Sequence, residues 1–343
     1  MTLVREDDIL RYLFKIILVT LIFHATASFG CGGADRVRAL DVISDEANKA
    51  LRQRDFAKVD AMAQEFRDKN SLATDGQPKL MGFYSGVSKS SAACNGSIGT
   101  GEEWAADKQL LLDWSRVSPQ SVSAKLALAL FEVSYGWNAR GSGYASTVTD
   151  EGWKLFRQRI ANARTMLEKL ESEVANDPHW FEGMLSIALA QGWERGQFDA
   201  LYQRAVGKFP YYYAYYFTKG NFYSAQWHGS QADFKQFVEE SVQATEKNLG
   251  QSMYARLNWS AQNGSMFRNG QTDWLRMKQG FEIILKDFPD SWNRNNFAKF
   301  ACRAGDKKVL LEQLALVGNK IAISAWGSME YFQNCSKFAR GES

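Results

Sequence analysis

Neither sign of charge is in excess. The 343 residues carry 41 basic and 38 acidic side chains, a formal net charge of +3. So weak a balance offers no general attraction to nucleic acid, and no nucleic-acid partner is predicted. Histidine is nearly missing, with three in all, one of them His24 in the N-terminal segment. The four cysteines, Cys31, Cys94, Cys302 and Cys335, form no CxxC pair and no Cys/His group with zinc spacing. No Asp/Glu constellation stands in for one, so neither a metal nor a cofactor is predicted. GxSxG, HExxH and Walker patterns are missing, and no catalytic residue can be named. Proline is scarce, at five residues, and valine and isoleucine form no alternating runs of the kind a half-buried strand needs. What remains is helix.

What is present fits that remainder. Apolar residues make up 45% and charged residues 23%, ordinary values for a chain that buries a core. Eleven Trp and 22 Phe suit aromatic contacts between helical layers.

The first 30 residues read as a targeting segment. Leu13–Phe23 is apolar apart from Lys15 and Thr20, and the stretch after Lys15 spans only eight residues. A membrane-spanning helix needs about 20. Arg11 and Lys15 precede the stretch and Ala25-Thr26-Ala27 follows it with the small-x-small pattern of a cleavage site. A signal peptide over 1–27 is expected, with an uncleaved anchor as the alternative, since Glu6-Asp7-Asp8 is unusual before such a stretch. Gly30-Cys31 matches part of a lipoprotein signal, so Cys31 is a candidate for lipidation and, with the N-terminal segment, for membrane attachment. Export to the periplasm or envelope of a bacterium permits disulfides.

A linker over 28–43 and one helical repeat domain over 44–339 are expected after it. Residues 35–70 nevertheless read as an antiparallel helix pair, with apolar residues recurring at helical spacing from Ala47 to Phe66. Residues 71–101 include SKSSAACNGSIGTG and are expected to be a loop. Helices are expected over Glu102–Val117, Ser121–Trp137 and Glu151–Val174. Pro178 and Pro210 then lie 32 residues apart, near the period of about 34 residues of tetratricopeptide helix pairs. Leu185, Tyr202 and Ala205 fall on that motif's large, aromatic and small positions, while Ser186 and Phe198 depart from it. Further hairpins follow, with Ala322–Ala339 as the last helix. The predicted fold is all-α: a tetratricopeptide-like, right-handed stack of antiparallel helical hairpins, an α-solenoid.

Three features carry functional interest. Tyr211–Phe217 (YYYAYYF) is the most aromatic stretch and reads as a helix buried between layers rather than as a ligand platform. Trp137, Asn138 and Arg140 form one polar-aromatic junction, and Trp227 and His228 another. Each reads first as a structural junction; as binding sites, both can face the same groove, where Arg140 can clamp a carboxylate or phosphate. Cys302 and Cys335 flank the last hairpin, so antiparallel helices bring them within disulfide reach, reduced thiols being the alternative. Cys94 is left with Cys31.

Several blocks together resemble the bacterial family known as domain of unknown function 4034 (DUF4034). They are Trp137-Asn138-Ala139-Arg140-Gly141-Ser142-Gly143, Gly152-Trp153-x-x-Phe156, and Pro178-x-Trp180 through Gln191-Gly192-Trp193 to Trp227-His228-Gly229. Phe300-Ala301-Cys302-x-Ala304-Gly305-Asp306 and Trp326 to Cys335 look similar to its C-terminal end. The resemblance spans about 45–338. It departs at Ser230-Gln231, where an acidic residue is usual, and after Cys335, where a Trp is. It implies a tetratricopeptide-like fold and no activity. The expected role is binding: a concave groove that holds a protein or peptide segment. An enzyme using Arg140 and His228 and a purely architectural envelope subunit are the alternatives.

Overall fold

The structure is a computed structural model, which describes residues 38–90, 101–261, 266–267 and 270–342. Cys31, Cys94 and the expected signal segment lie outside them. The described residues form sixteen α-helices, one short 3-10 turn at Ala145–Thr147, and no strand.

The helices are α1 (Ala39–Arg52), α2 (Phe56–Asp68), α3 (Lys79–Val87), α4 (Gly101–Val117), α5 (Val122–Arg140) and α6 (Asp150–Val174). Then come α7 (Pro178–Gln191), α8 (Arg195–Lys208), α9 (Ala214–Phe222), α10 (Gln231–Leu249) and α11 (Ser252–Ala261). The series closes with α12 (Trp274–Asp287), α13 (Ser291–Ala304), α14 (Lys307–Val317), α15 (Ile323–Trp326) and α16 (Met329–Arg340).

Local chemistry sets most boundaries. The Asp177 carboxylate accepts from the His179 amide at the start of α7, and Pro178 occupies the first turn, where its missing N–H costs nothing. Gly192 ends that helix in the left-handed conformation. Asp290 and Asp306 cap α13 and α14 in the same way. Ala322–Ala339 is not one helix: Gly327, at φ +88°, and the Ser328 cap divide it into α15 and α16.

Many helices pack on their neighbours in sequence, and α5–α7, α7–α9 and α9–α11 also touch. Ion pairs join alternate helices on the other side. Arg204 on α8 pairs with Glu171 on α6, Arg195 on α8 with Asp233 on α10, and Arg276 on α12 with Glu239 on α10. Each guanidinium also covers an aromatic ring: Arg204 by Phe181, Arg195 over Tyr223, Arg276 over Tyr254. Exposed pairs of this kind add little stability individually. The core between the layers is aromatic, with Trp104, Trp114, Trp180, Phe198, Phe281 and Phe300 all fully buried.

One segment breaks this sequential order. The expected loop over 71–101 contains α3, and the expected linker over 28–43 already contains the start of α1. Gly82 and Gly86 lie one turn apart on α3 and let it sink onto α1. A Cβ at Gly86 would stand 2.2 Å from the Ser44 carbonyl oxygen. Those glycines are a packing surface, not loop punctuation. The same helix touches α5 and α7. Before it, a tight turn with a Leu72–Pro78 bridge reaches the α12–α13 junction, where Asn293 donates to the Asp75 carbonyl at 3.1 Å.

Candidate functional site

The two polar-aromatic junctions do meet. α5 runs on to Arg140 rather than stopping at Trp137, which turns the guanidinium inward. Trp137 and Trp227 stand edge to face, with ring centroids 5.6 Å apart. The Arg140 guanidinium lies 5.9 Å from Trp137, 5.8 Å from Trp153 and 5.9 Å from Trp227. Its Nη1 donates to the carbonyls of Gly141 and Gly143, at 3.0 Å each. Burial lowers its pKa. The Asn138 carbonyl accepts from the Gly141 amide and closes α5. This is a corner that holds the 141–148 connection against two helix ends.

His228 is turned elsewhere. Its Nε2 lies 3.3 Å from the Leu189 carbonyl, and its ring packs 4.8 Å from Phe222. A Cβ at Gly192 would meet it at 3.2 Å, so glycine there leaves room for the imidazole. The geometry is that of a packed histidine joining α7 to the α9–α10 turn.

A second set of polar groups lies under the Tyr-rich stretch. Asp177 is fully buried, and its Oδ2 accepts from Arg67 Nε at 3.0 Å, Arg67 Nη2 at 2.8 Å and the Tyr84 hydroxyl at 2.6 Å. Arg67 Nη2 also reaches Ser123 Oγ at 2.6 Å. His179 stacks on Tyr84 at 4.6 Å, and its Nδ1 lies 2.5 Å from the Tyr212 hydroxyl. Burial pulls the His179 pKa down to about 4, so the ring is neutral near pH 7. One turn along α7, Glu182 Oε1 accepts from the Thr218 hydroxyl at 2.7 Å. Its Oε2 is buried and has no hydrogen-bond partner among the described residues. Burial raises this carboxyl to about 7. The charged form of Glu182 is therefore disfavoured in the fold.

Tyr213, the next residue in the Tyr-rich stretch, faces a charge of opposite sign. Arg256 of α11 is 3% exposed and lies 4.9 Å from the Tyr213 ring. Its Nε and Nη1 are buried without hydrogen-bond partners among the described residues. Burial lowers its pKa, and the nearby Asp75, Asp287 and Tyr213 oppose the fall. Tyr212 and Tyr213 thus separate a buried carboxylate from a buried guanidinium, each with unused hydrogen-bonding capacity. The sequence held a faint signal for the first: His179 and Glu182 share a helix face three residues apart. For Arg256 it held none.

Among the described residues no group of three or more His, Cys, Asp or Glu could hold a metal ion, and no helix is long and apolar enough to cross a membrane. Cys302 and Cys335 are disulfide-bonded, with Cα atoms 5.8 Å apart, and tie α13 to α16. Comparison with family models, curated proteins and solved structures finds no match to this chain.

Proposed function

We propose that the chain is an exported helical-repeat binding protein, a curved tetratricopeptide-like stack whose inner face holds a protein or peptide segment. One observation carries the binding role. The helices at the α12–α13 junction already receive a piece of polypeptide, the chain's own Leu72–Pro78 turn. They hold it through Asn293 to a backbone carbonyl and Asp290 to the Thr74 hydroxyl. Backbone-directed side-chain contacts of this kind suit a peptide ligand. The unused polar atoms of Glu182 and Arg256 supply further recognition on either side of Tyr212–Tyr213. The hairpin order and the Arg–carboxylate pairs between α6, α8, α10 and α12 support the stack. So does the resemblance to DUF4034. Export rests on the N-terminal segment, with Cys31 and that segment as the routes to membrane attachment.

A photo-crosslinking residue at Tyr211, 40% exposed beside Tyr212–Tyr213, should capture a discrete adduct in cells, and the same residue at Lys235, exposed on α10, should not. Equal labelling at both, or none at Tyr211, overturns the proposal. A periplasm-only reporter fused after residue 35 tests export, and a silent reporter rejects it. Catalysis at Arg140 and His228 has no comparable support, because both side chains serve backbone carbonyls. The architectural alternative draws on one feature, an apolar groove of about 320 Å³ between α14 and α16 lined by Leu311, Leu314, Val317 and Phe332. Concentration-dependent sedimentation that is lost in Leu311→Glu would favour it.

A further inference from the structure

Most of the Leu72–Pro78 turn is buried, yet the contacts that hold it are incomplete. Thr74 donates to Asp290 at 2.6 Å, Asn293 donates to the Asp75 carbonyl at 3.1 Å, and Gly76 sits against the Phe288 ring. The Asp75 carboxylate does less. Its Oδ1 accepts from the Gln77 amide, inside the turn, at 3.0 Å, and its buried Oδ2 has no hydrogen-bond partner among the described residues. Arg38 Nε stands 3.6 Å from Oδ2, beyond hydrogen-bond length, and also faces Asp41. Arg256 of α11 acts on Asp75 only through charge, and its own Nε and Nη1 are buried without partners among the described residues. Buried polar groups are nearly always paired. The turn therefore fills its seat without completing the bonds available there.

We propose that the turn is an autoinhibitory stand-in for a peptide ligand, and that the ligand is an acidic turn whose carboxylate bonds Arg256 directly while its backbone takes over the contact to Asn293. The proposal rests on the peptide-binding reading above and adds which peptide binds and what moves to admit it. The free donors of Arg256 select an anion, and a carboxylate accepts from a guanidinium in bidentate fashion. The chain's own Thr74-Asp75-Gly76-Gln77 shows the form the seat accepts, with a residue at positive φ directly after the acid. No cavity beside the turn is needed, because the seat opens as the turn leaves. Helix α3 stays fixed to α1 through Gly82 and Gly86, so only the turn has to swing out. A tethered segment competes at an effective concentration on the order of millimolar. A ligand in trans wins only through bonds the turn lacks, and Arg256 supplies them.

Native-state hydrogen exchange on the full chain reads the displacement. The amides of Ala73, Gly76 and Lys79 bond within the turn segment and should exchange without global unfolding. In Thr74→Ala they should exchange about tenfold faster, with the α7 amides unchanged. Turn amides that exchange only together with those of α13 overturn the inference. Fluorescence anisotropy with a labelled peptide of the 71–79 sequence reads the ligand class. It should bind Thr74→Ala saturably, and its Asp75→Asn form about tenfold more weakly. Arg256→Lys on the Thr74→Ala background should remove that difference. Equal binding of the two peptides, or none of either, overturns the inference. Thr74→Cys/Asp290→Cys locks the turn in place, and the two single variants control for the altered α13 cap. With the crosslinking residue at Tyr211, adduct should rise in Thr74→Ala and vanish only in the locked protein. Equal adduct in parent, Thr74→Ala and locked protein keeps the peptide-binding reading and rejects the stand-in, whereas no adduct in any of them rejects both.

Discussion

Thr74 and Asp290 lie 216 residues apart and share a hydrogen bond of 2.6 Å, from the threonine hydroxyl to a carboxylate oxygen. The other oxygen of Asp290 caps α13 through the Trp292 amide, at 2.7 Å. One side chain thus ends a helix and anchors the Leu72–Pro78 turn. Gly76, at the tip of that turn, has φ +81°, and a Cβ on it would stand 2.6 Å from the Phe288 ring. Gly76→Ala should destabilise the fold by about 1–3 kcal/mol through positive φ and the clash together. Phe288→Ala should relieve only the clash, so the double variant should lose less than the two singles combined. Urea unfolding of the four proteins checks this, and strict additivity would mean that the turn does not seat against Phe288.

Arg140 offers a separate measurement. Its guanidinium is enclosed by three indoles and spends Nη1 on two carbonyls. Arg140→Met keeps the apolar stem and removes both functions. A loss of about 2 kcal/mol is expected, from the hydrogen bonds and the cation–π contacts. Faster proteolysis within 141–148 should accompany it. Arg140→Lys should recover part of the stability but not the indole fluorescence, because an ammonium does not stack. An unchanged cleavage rate in Arg140→Met would show that the connection is held by other contacts.

The disulfide should matter more than any surface ion pair. Cys302 and Cys335 are 33 residues apart in sequence. Opening a loop of that size costs about 3–4 kcal/mol in the chain-entropy model. Reduction, or the Cys302→Ala/Cys335→Ala double variant, should lower the urea midpoint accordingly and expose α16 first. Thiol labelling of the denatured, unreduced protein should leave both cysteines unmodified.

Legibility in the sequence followed the range of the interaction. Helix ends such as Asp177-Pro178 and Ala304–Asp306 were readable because those residues act on their own few neighbours. The Cys302–Cys335 approach was readable because the two cysteines lie on helices close in sequence, with α14 and α15 between them. The helix α3 was not, because Gly82 and Gly86 look like loop residues until α1 is in place for them to pack against. The junction residues Trp137, Arg140 and Trp227 were found together, since each sits at a helix end rich in aromatic residues. Glu182 and Arg256 were missed because what sets them apart is a shortage of partners, and partners come from Thr218, Tyr213 and Asp75 on distant segments. The YYYAYYF stretch was expected to be a buried helix; Tyr212–Tyr216 are buried, but Tyr211 is 40% exposed and the helix begins only at Ala214.

The two titratable groups on α7 should bend stability with pH in opposite directions. Glu182 is raised by burial to about 7, above its ordinary value of 4.5. Between those values the folded state binds more protons than the unfolded one, so stability falls as pH rises from about 4.5 to 7 and then levels off. His179 is lowered by burial to about 4 from 6.5. There the unfolded state binds more protons, so stability falls as pH drops from 6.5 towards 4. Glu182→Gln mimics the protonated carboxyl and keeps a group for Thr218 to meet. It should be more stable than the parent at pH 8, by an amount on the order of 1–3 kcal/mol, with the difference shrinking towards pH 5. His179→Gln should leave the alkaline side little changed in slope and remove the decline on the acid side. Urea midpoints from pH 4 to 8 for the parent and both variants test each sign independently. A Glu182→Gln protein whose advantage grows as pH falls would show that the carboxylate is charged and paired in the fold, by a group other than Thr218. In that case its Oε2 is not the unused acceptor on which recognition beside Tyr212 depends.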